Sequence, residues 1–170
     1  MRESLILEKA LSGGGEFAEL FLEDREETNI QCADGVHKGV KSIRIHGAGL
    51  YLLNGTDHIY VYTNRTDEAA LMELAGRAAD LMNAGKAKGG TIQFQQQNIP
   101  NPNAVRLYPG EVANSDKLRV LDTAWRFGRD YAKERQMTLS MLNVDYFDTD
   151  QRVHIFNSEG LVTSDRRVTT

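Results

Sequence analysis

ETNIQCADGVHKGVKSIRIHGAGLYLLNGTDHIYVYTN, the stretch from Glu27 to Asn64, decides the fold. Two dipeptides punctuate it, Asp34-Gly35 and Asn54-Gly55. Both central residues of a type I′ turn need φ > 0, a region that Asn, Asp and Gly reach most easily. Each dipeptide therefore predicts a hairpin, with Gly35 and Gly55 at positive φ. Apolar and polar residues alternate through Ile43-Arg44-Ile45-His46 and again through His58-Ile59-Tyr60-Val61-Tyr62. A period of two means strands with one buried face. The reading is a meander of three antiparallel strands, around Ile30 and Cys32, within Val36 to Leu53, and around Ile59, Val61 and Thr63. The middle stretch is longer than the roughly three to ten residues of an ordinary strand, so a bulge or bend is expected at Gly47 and Gly49.

Upstream, Ser4 to Ser12 reads as a short helix with Leu7, Ala10 and Leu11 on one face, stopped by Gly13-Gly14-Gly15. That triple glycine lacks the Gly-Lys-Ser/Thr ending and the preceding strand of a phosphate loop. Glu16 to Glu23 alternates, with Ala18, Leu20 and Leu22 on one side, and predicts a strand. The charged run Asp24 to Thr28 is either its continuation or a loop.

Downstream, Thr66 is the expected N-cap of a helix, with Asp67 and Glu68 in its first turn, where the helix dipole favours negative charge. Leu71, Leu74, Ala75, Ala78 and Leu81 recur at helical spacing, and Gly85, Gly89 and Gly90 mark the exit. Ala75, Gly76, Ala78 and Ala79 allow this helix to lie close to the strands. Thr91 to Ala113 holds all three prolines, Pro100, Pro102 and Pro109, which forbid a regular helix across it. It is either an excursion that packs on a neighbouring domain or subunit, or a surface loop. Ser115 is expected to cap the longest helix, which runs to about Arg135 with Leu118, Leu121, Trp125, Gly128 and Ala132 as its buried stripe. Trp125 lies on that stripe and reads as a core anchor rather than a base-stacking platform. Thr138 to Asp148 and Arg152 to Phe156 follow as strands, with Val153 and Ile155 inward and a turn at Thr149-Asp150-Gln151. Asn157 to Gly160 is a second turn, and Leu161 to Val168 begins a further strand. The fold class is α+β, a twisted antiparallel sheet (meander plus C-terminal hairpin) with two main helices packed on one face. Residues 1–170 are expected to be a single domain.

The totals narrow the function classes. A chain of 170 residues, 41% hydrophobic and 26% charged, is an ordinary globular balance and long enough to bury a core. A formal net charge of −4 argues against a nucleic-acid partner, which would favour a basic face. On the longest helix, Arg119, Arg126, Arg129 and Lys133 interleave with Asp122, Asp130 and Glu134, the pattern of a solvated face. The one cysteine, Cys32, excludes an internal disulfide and any multi-cysteine zinc site, and it reads as a small core residue. Neither a signal peptide nor a membrane span is expected, and the cytoplasm is the expected compartment.

Residues that could carry chemistry are few. His37, His46, His58 and His154 all fall on strands or beside turns, without the i, i+4 helical spacing of a zinc site. His46 with His58 is the best cross-strand pair, weighed against exposed polar positions on strands. Ser158 has the right atom for a nucleophile but no oriented base nearby in sequence. Glu23, Asp24, Glu26 and Glu27 lack the alternating Asp/Asn and Gly of a calcium loop and read as a solvated acidic segment. No residue is assigned a catalytic, cofactor-binding or metal-binding role.

The order of motifs adds a family. A short helix, Gly15-Glu16-Phe17-Ala18-Glu19-Leu20-Phe21, an acidic strand, Asp34-Gly35-Val36 and Gly39-Val40-Lys41-Ser42-Ile43-Arg44-Ile45 together resemble the start of the TldD/PmbA family. These proteins have been called modulators of DNA gyrase and belong to a group of zinc metallopeptidases. The most specific match is Val153-His154-Ile155-Phe156-Asn157-Ser158-Glu159-Gly160-Leu161-Val162 followed by Ser164-Asp165-Arg166-Arg167, similar to the hairpin near the end of the family's N-terminal domain. Gly39-Val40-Lys41-Ser42 lacks the second family glycine, and Gly49-Leu50-Tyr51 replaces the usual Gly-Phe-Ala. A TldD-like and a PmbA-like assignment both stay open.

The resemblance implies a non-catalytic N-terminal domain. The family's zinc ligands, a His-Glu-x-x-x-His helix motif and a later cysteine, belong to a C-terminal metallopeptidase domain absent from this chain. Zinc is expected there in a catalytic-type parent. The implied partners are the chain's own C-terminal domain, another TldD/PmbA-type subunit in a homo- or hetero-dimer, and unfolded peptide substrate entering an enclosed chamber. Because the chain stops at Thr170 within a strand-like pattern, the reading frame is expected to continue. The competing class is a free-standing binding or scaffold module with no catalytic parent.

Overall fold

The computed structural model describes residues 2–83, 85, 90–97, 100 and 103–170. Its elements are α1 (Arg2–Leu11), β1 (Phe17–Ala33), β2 (Val36–Asn54), β3 (Asp57–Thr63), α2 (Glu68–Met82), β4 (Gln95–Gln96), a 3₁₀ turn (Pro109–Glu111), α3 (Asn114–Glu134), β5 (Asn143–Asn157) and β6 (Leu161–Thr169). The strands lie in the order β3-β2-β1-β5-β6-β4. β2 and β3 are antiparallel, from Ala48↔Thr63 to Asn54↔Asp57, whereas Gln95 and Gln96 pair in parallel with Leu161 and Val162. The fold is α+β as expected, and the sheet is mixed rather than wholly antiparallel.

Three strands are longer than their sequence suggests. β2 is a single strand that runs through Gly47 and Gly49, and its register with β3 is regular from Ala48 to Asn54. β1 runs through Asp24 to Thr28, so the charged run is strand continuation rather than loop. β5 passes through Thr149-Asp150-Gln151, where the side chains predict a turn. Turn-forming side chains set a preference, and here the ladder outweighs it.

The chain forms two compact units. One comprises Met1–Asp24, Ile45–Pro102 and Arg152–Arg166, the other Arg25–Arg44, Asn103–Gln151 and Arg167–Thr170. In the first, Ala18 and Leu20 of β1, Ala48, Leu50 and Leu52 of β2 and Phe156 of β5 are buried against Ile6, Leu7 and Ala10 of α1 and Leu71, Leu74, Ala75, Ala78 and Met82 of α2. Leu81, expected on the α2 stripe, faces solvent, and Met82 takes the buried place. Val153 is buried but outside this cluster, and Ile155 is half-buried, so Phe156 is the residue of β5 that joins the helices. The N-cap of α2 is Asp67, not Thr66; its carboxylate accepts from the Ala70 amide, which holds it below the usual carboxylate range. α2 ends on Asn83 in the left-handed region at φ 35°. Ile92 and Phe94, from the proline-bearing segment, pack on this core, and the Phe94 ring meets Phe156 edge-on at 5.8 Å. Gly89 and Pro102, read as loop signals, lie outside the described residues.

In the second unit, Ile30 and Cys32 of β1 are buried with Leu121 of α3, and Leu118, Trp125, Val144 and Tyr146 pack against them. Cys32 is thus the small core residue expected, and Trp125 the anchor. α3 begins one residue before Ser115, and its N-cap, Ala113, offers no side-chain bond, so Ser115 does not cap it. The Asp34-Gly35 turn has φ 49° and 78°, the two positive values of a type I′ turn. A Cβ on Gly35 would also lie 2.8 Å from the Trp125 ring. At the other turn Gly55 has φ 58° as expected, but the register centres it on Gly55-Thr56 rather than Asn54-Gly55. Positive φ at the first central residue alone is the type II′ pattern.

Candidate functional site

The four histidines do not gather at one place; His46 and His154 line a common cavity. His46 Nε2 lies 2.9 Å from Thr66 Oγ1, while His58 pairs with Leu53 at the far end of the β2–β3 ladder and stacks on Tyr51 at 6.2 Å. The pair favoured by sequence is therefore separated. His37 Nε2 sits 2.8 Å from Asp122 Oδ1 on α3. Among the described residues no group of three or more His, Cys, Asp or Glu side chains could hold a metal ion.

Ser158 serves the fold. Its Oγ accepts from the Ala18 amide at 3.0 Å, and its own amide donates to the Ala18 carbonyl at 2.8 Å. Asn157 Oδ1 accepts from the amides of Glu159 and Leu161, closing the turn that leads into β6. Gly160, at φ 94°, lets the Gln93 carbonyl approach into the space a Cβ would fill, and its own carbonyl accepts from the Gln95 amide. The Asn157–Gly160 segment ties β5 to β1 and seats β4.

Two adjoining cavities lie in the first unit. The larger, about 650 Å³, is lined among others by Phe21, Ile45, Gly47, Gly49, Tyr60, Tyr62 and Arg77. The smaller, about 290 Å³, is lined by Leu22, Asp24, Thr66, Arg152 and His154, and the two share Glu23, His46 and Gly47. Tyr60 lies over Gly49, where a Cβ would collide with its hydroxyl oxygen. The Tyr60 and Tyr62 rings stack at 6.5 Å and stay 59% and 76% exposed, so both are available to a ligand. One half offers aromatic surface and the other Glu23, Asp24, Arg152 and two imidazoles. Such a surface suits an extended chain with an apolar side chain. The sequence signal was present: Tyr60 and Tyr62 alternate with the inward Ile59 and Val61, and Tyr62 lies opposite Gly49.

Sequence reasoning missed a buried polar cluster in the second unit. Lys117 Nζ and Asp148 Oδ2 are 2.6 Å apart, with side chains only 4% and 3% exposed. Lys117 lies 5.7 Å from the centre of the Tyr146 ring. Burial, then the hydrogen bond to Asp148 and its charge, push the Tyr146 phenol up to about 12. Spacing offered a hint, because Lys117 precedes Leu121 by one turn on the stripe. On the opposite-facing side of α3, Val120, Phe127 and Tyr131 form an exposed apolar row, with Phe127 and Tyr131 stacked at 6.4 Å.

Comparison with known proteins bears out the resemblance. Residues 18–81 match the family model of PmbA/TldA metallopeptidase domain 1. No curated protein matches the chain. Three solved structures share its fold. A candidate modulator of DNA gyrase from Bacteroides thetaiotaomicron is 15% identical with a TM-score of 0.65, over 98% of this chain and 38% of that one. A second, from Thermotoga maritima, is 14% identical with a TM-score of 0.67, over 98% and 37%. TldE from Thermococcus kodakarensis is 9% identical with a TM-score of 0.66, over 99% and 37%. The chain thus spans less than two-fifths of the solved chains that it matches. Among the described residues, no helix is long and apolar enough to cross a membrane.

Proposed function

We propose that this chain, a TldD/PmbA-type first domain by its match over residues 18–81, is the non-catalytic N-terminal domain of a cytoplasmic zinc-dependent peptidase or of its partner subunit. It contributes to the dimer and to the walls of the chamber through which unfolded peptide reaches the metal. The observation that carries this reading is the family match, in a chain whose fold is shared over nearly its whole length with proteins more than twice as long. Two surface features support it. The exposed row Val120, Phe127 and Tyr131 is apolar surface suited to a subunit or domain contact. The Tyr60–Tyr62 cavity presents aromatic surface to a passing chain.

The test uses the full gene product beside the 170-residue chain alone. Zinc content is measured after dialysis, mass by light scattering, and cleavage of unfolded casein with and without chelator. The full product is expected to hold zinc and cleave in a chelator-sensitive manner, alone or mixed with a zinc-bearing subunit, while the short chain does neither. One tightly held zinc on the short chain, or a stop codon directly after Thr170, overturns the reading and leaves a different enzyme or a free-standing binding module.

A further inference from the structure

We propose that the open edge of β2 over residues 36–44 is a strand-addition site for an extended acidic segment of a partner protein. The observation is the mismatch between β2 and its neighbour. β3 pairs with Ala48–Asn54 only, and it is the strand next to β2 on that side. Among the described residues, no strand covers that edge of residues 36–44. Every residue from Val36 to His46 is exposed.

A long exposed edge presents unpaired amides and carbonyls, and proteins usually blunt one with proline, a bulge, short length or charge. Here there is no proline, and the strand runs for 19 residues with Gly39, at φ 146°, within it. Val36, Val40 and Ile43 are all exposed large apolar residues on it. Lys38 and Lys41 add positive charge, and no Asp or Glu occurs between Val36 and His46, within a chain of net charge −4. That charge selects the occupant. Edge-to-edge pairing with a second copy would bring two positively charged stretches together, and like charges across a strand pair are destabilising. An acidic strand instead gains backbone pairing and charge complementarity together, with valine and isoleucine meeting alternate side chains.

The test uses the 170-residue chain and a fluorescein-labelled peptide alternating glutamate with valine. Its controls are a counterpart with lysine for glutamate and a counterpart N-methylated at alternate amides. Anisotropy reads binding, and amide exchange reads where it occurs. The expected results are saturable binding of the acidic peptide, slowed exchange within residues 36–44, and loss of at least tenfold in affinity on N-methylation. The double variant Lys38→Glu, Lys41→Glu should lose the acidic peptide and gain the basic one. Both lysines are exposed, and unchanged circular dichroism confirms the variant's fold. Failure to bind, binding indifferent to N-methylation, protection outside β2, or equal binding of the basic peptide each overturns the proposal. Self-association through this edge, detected as concentration-dependent mass abolished by Val40→Pro, overturns it in favour of a second copy.

Discussion

Replacing Lys117 by methionine should be the most damaging conservative change in the second unit. Lys117 sits in the first turn of α3, where the helix dipole disfavours a cation, so its place is set by Asp148 rather than by the helix. At the observed 2.6 Å, two unit charges attract by about 6 kcal/mol for an effective dielectric constant of about 20. Most of that attraction offsets the cost of taking both groups out of water, because both side chains are almost fully buried. The pair's net contribution is therefore small. Removing one member strands the other, and that costs about 3–5 kcal/mol. Against a domain stability of about 5–15 kcal/mol, this is a large fraction of the whole.

The assay is a double-mutant cycle of Lys117→Met, Asp148→Leu and the double variant, by urea denaturation. Trp125, the single tryptophan, packs in the second unit's core beside Leu121 and reports its unfolding by fluorescence. Each single variant should lose about 3–5 kcal/mol, while the double variant should fall within about 1–2 kcal/mol of the parent, since well-packed apolar replacements of buried pairs are often nearly neutral. Single variants costing under about 1 kcal/mol, or losses that simply add, would refute the reasoning.

Gly35→Ala should destabilise more than Gly55→Ala, because both have positive φ but only Gly35 would drive a Cβ into the Trp125 ring; equal denaturation midpoints would contradict this. Tyr146, whose phenol is raised to about 12, makes stability alkali-sensitive. Below about pH 10 neither state ionises; between about pH 10 and 12 the unfolded phenol loses its proton first, so stability falls as the pH rises. Tyr146→Phe should remove that slope in thermal melts. Ser158→Ala should cost about 1–2 kcal/mol by leaving the Ala18 amide without its acceptor, measured in urea titrations of the first unit.

The hairpin turns, the parity of buried residues on β1, and the α2 and α3 stripes were legible because they follow from local period and backbone sterics. Ala18, Leu20, Ile30 and Cys32 all fall on even positions, and that parity survives the charged run between them. What was not legible depended on neighbours. Thr149-Asp150-Gln151 has turn-forming side chains, yet it is strand, since pairing of the ladder satisfies more backbone groups than a local turn. Lys117 escaped because reading stripes by apolar type hides a charged residue whose partner is distant in sequence. The Asn157–Gly160 motif teaches the converse lesson. Its residues look like chemistry, a serine beside a carboxylate in a tight turn, and it is the stretch that most specifically suggests the family. Their roles are geometric instead. Asn157 closes the turn, Ser158 ties it to β1, and Gly160 clears the backbone of Gln93. A position that only one side chain can fill geometrically is as restrictive as one that chemistry demands. A stretch that reads as chemistry can therefore owe its residues to the turn they build.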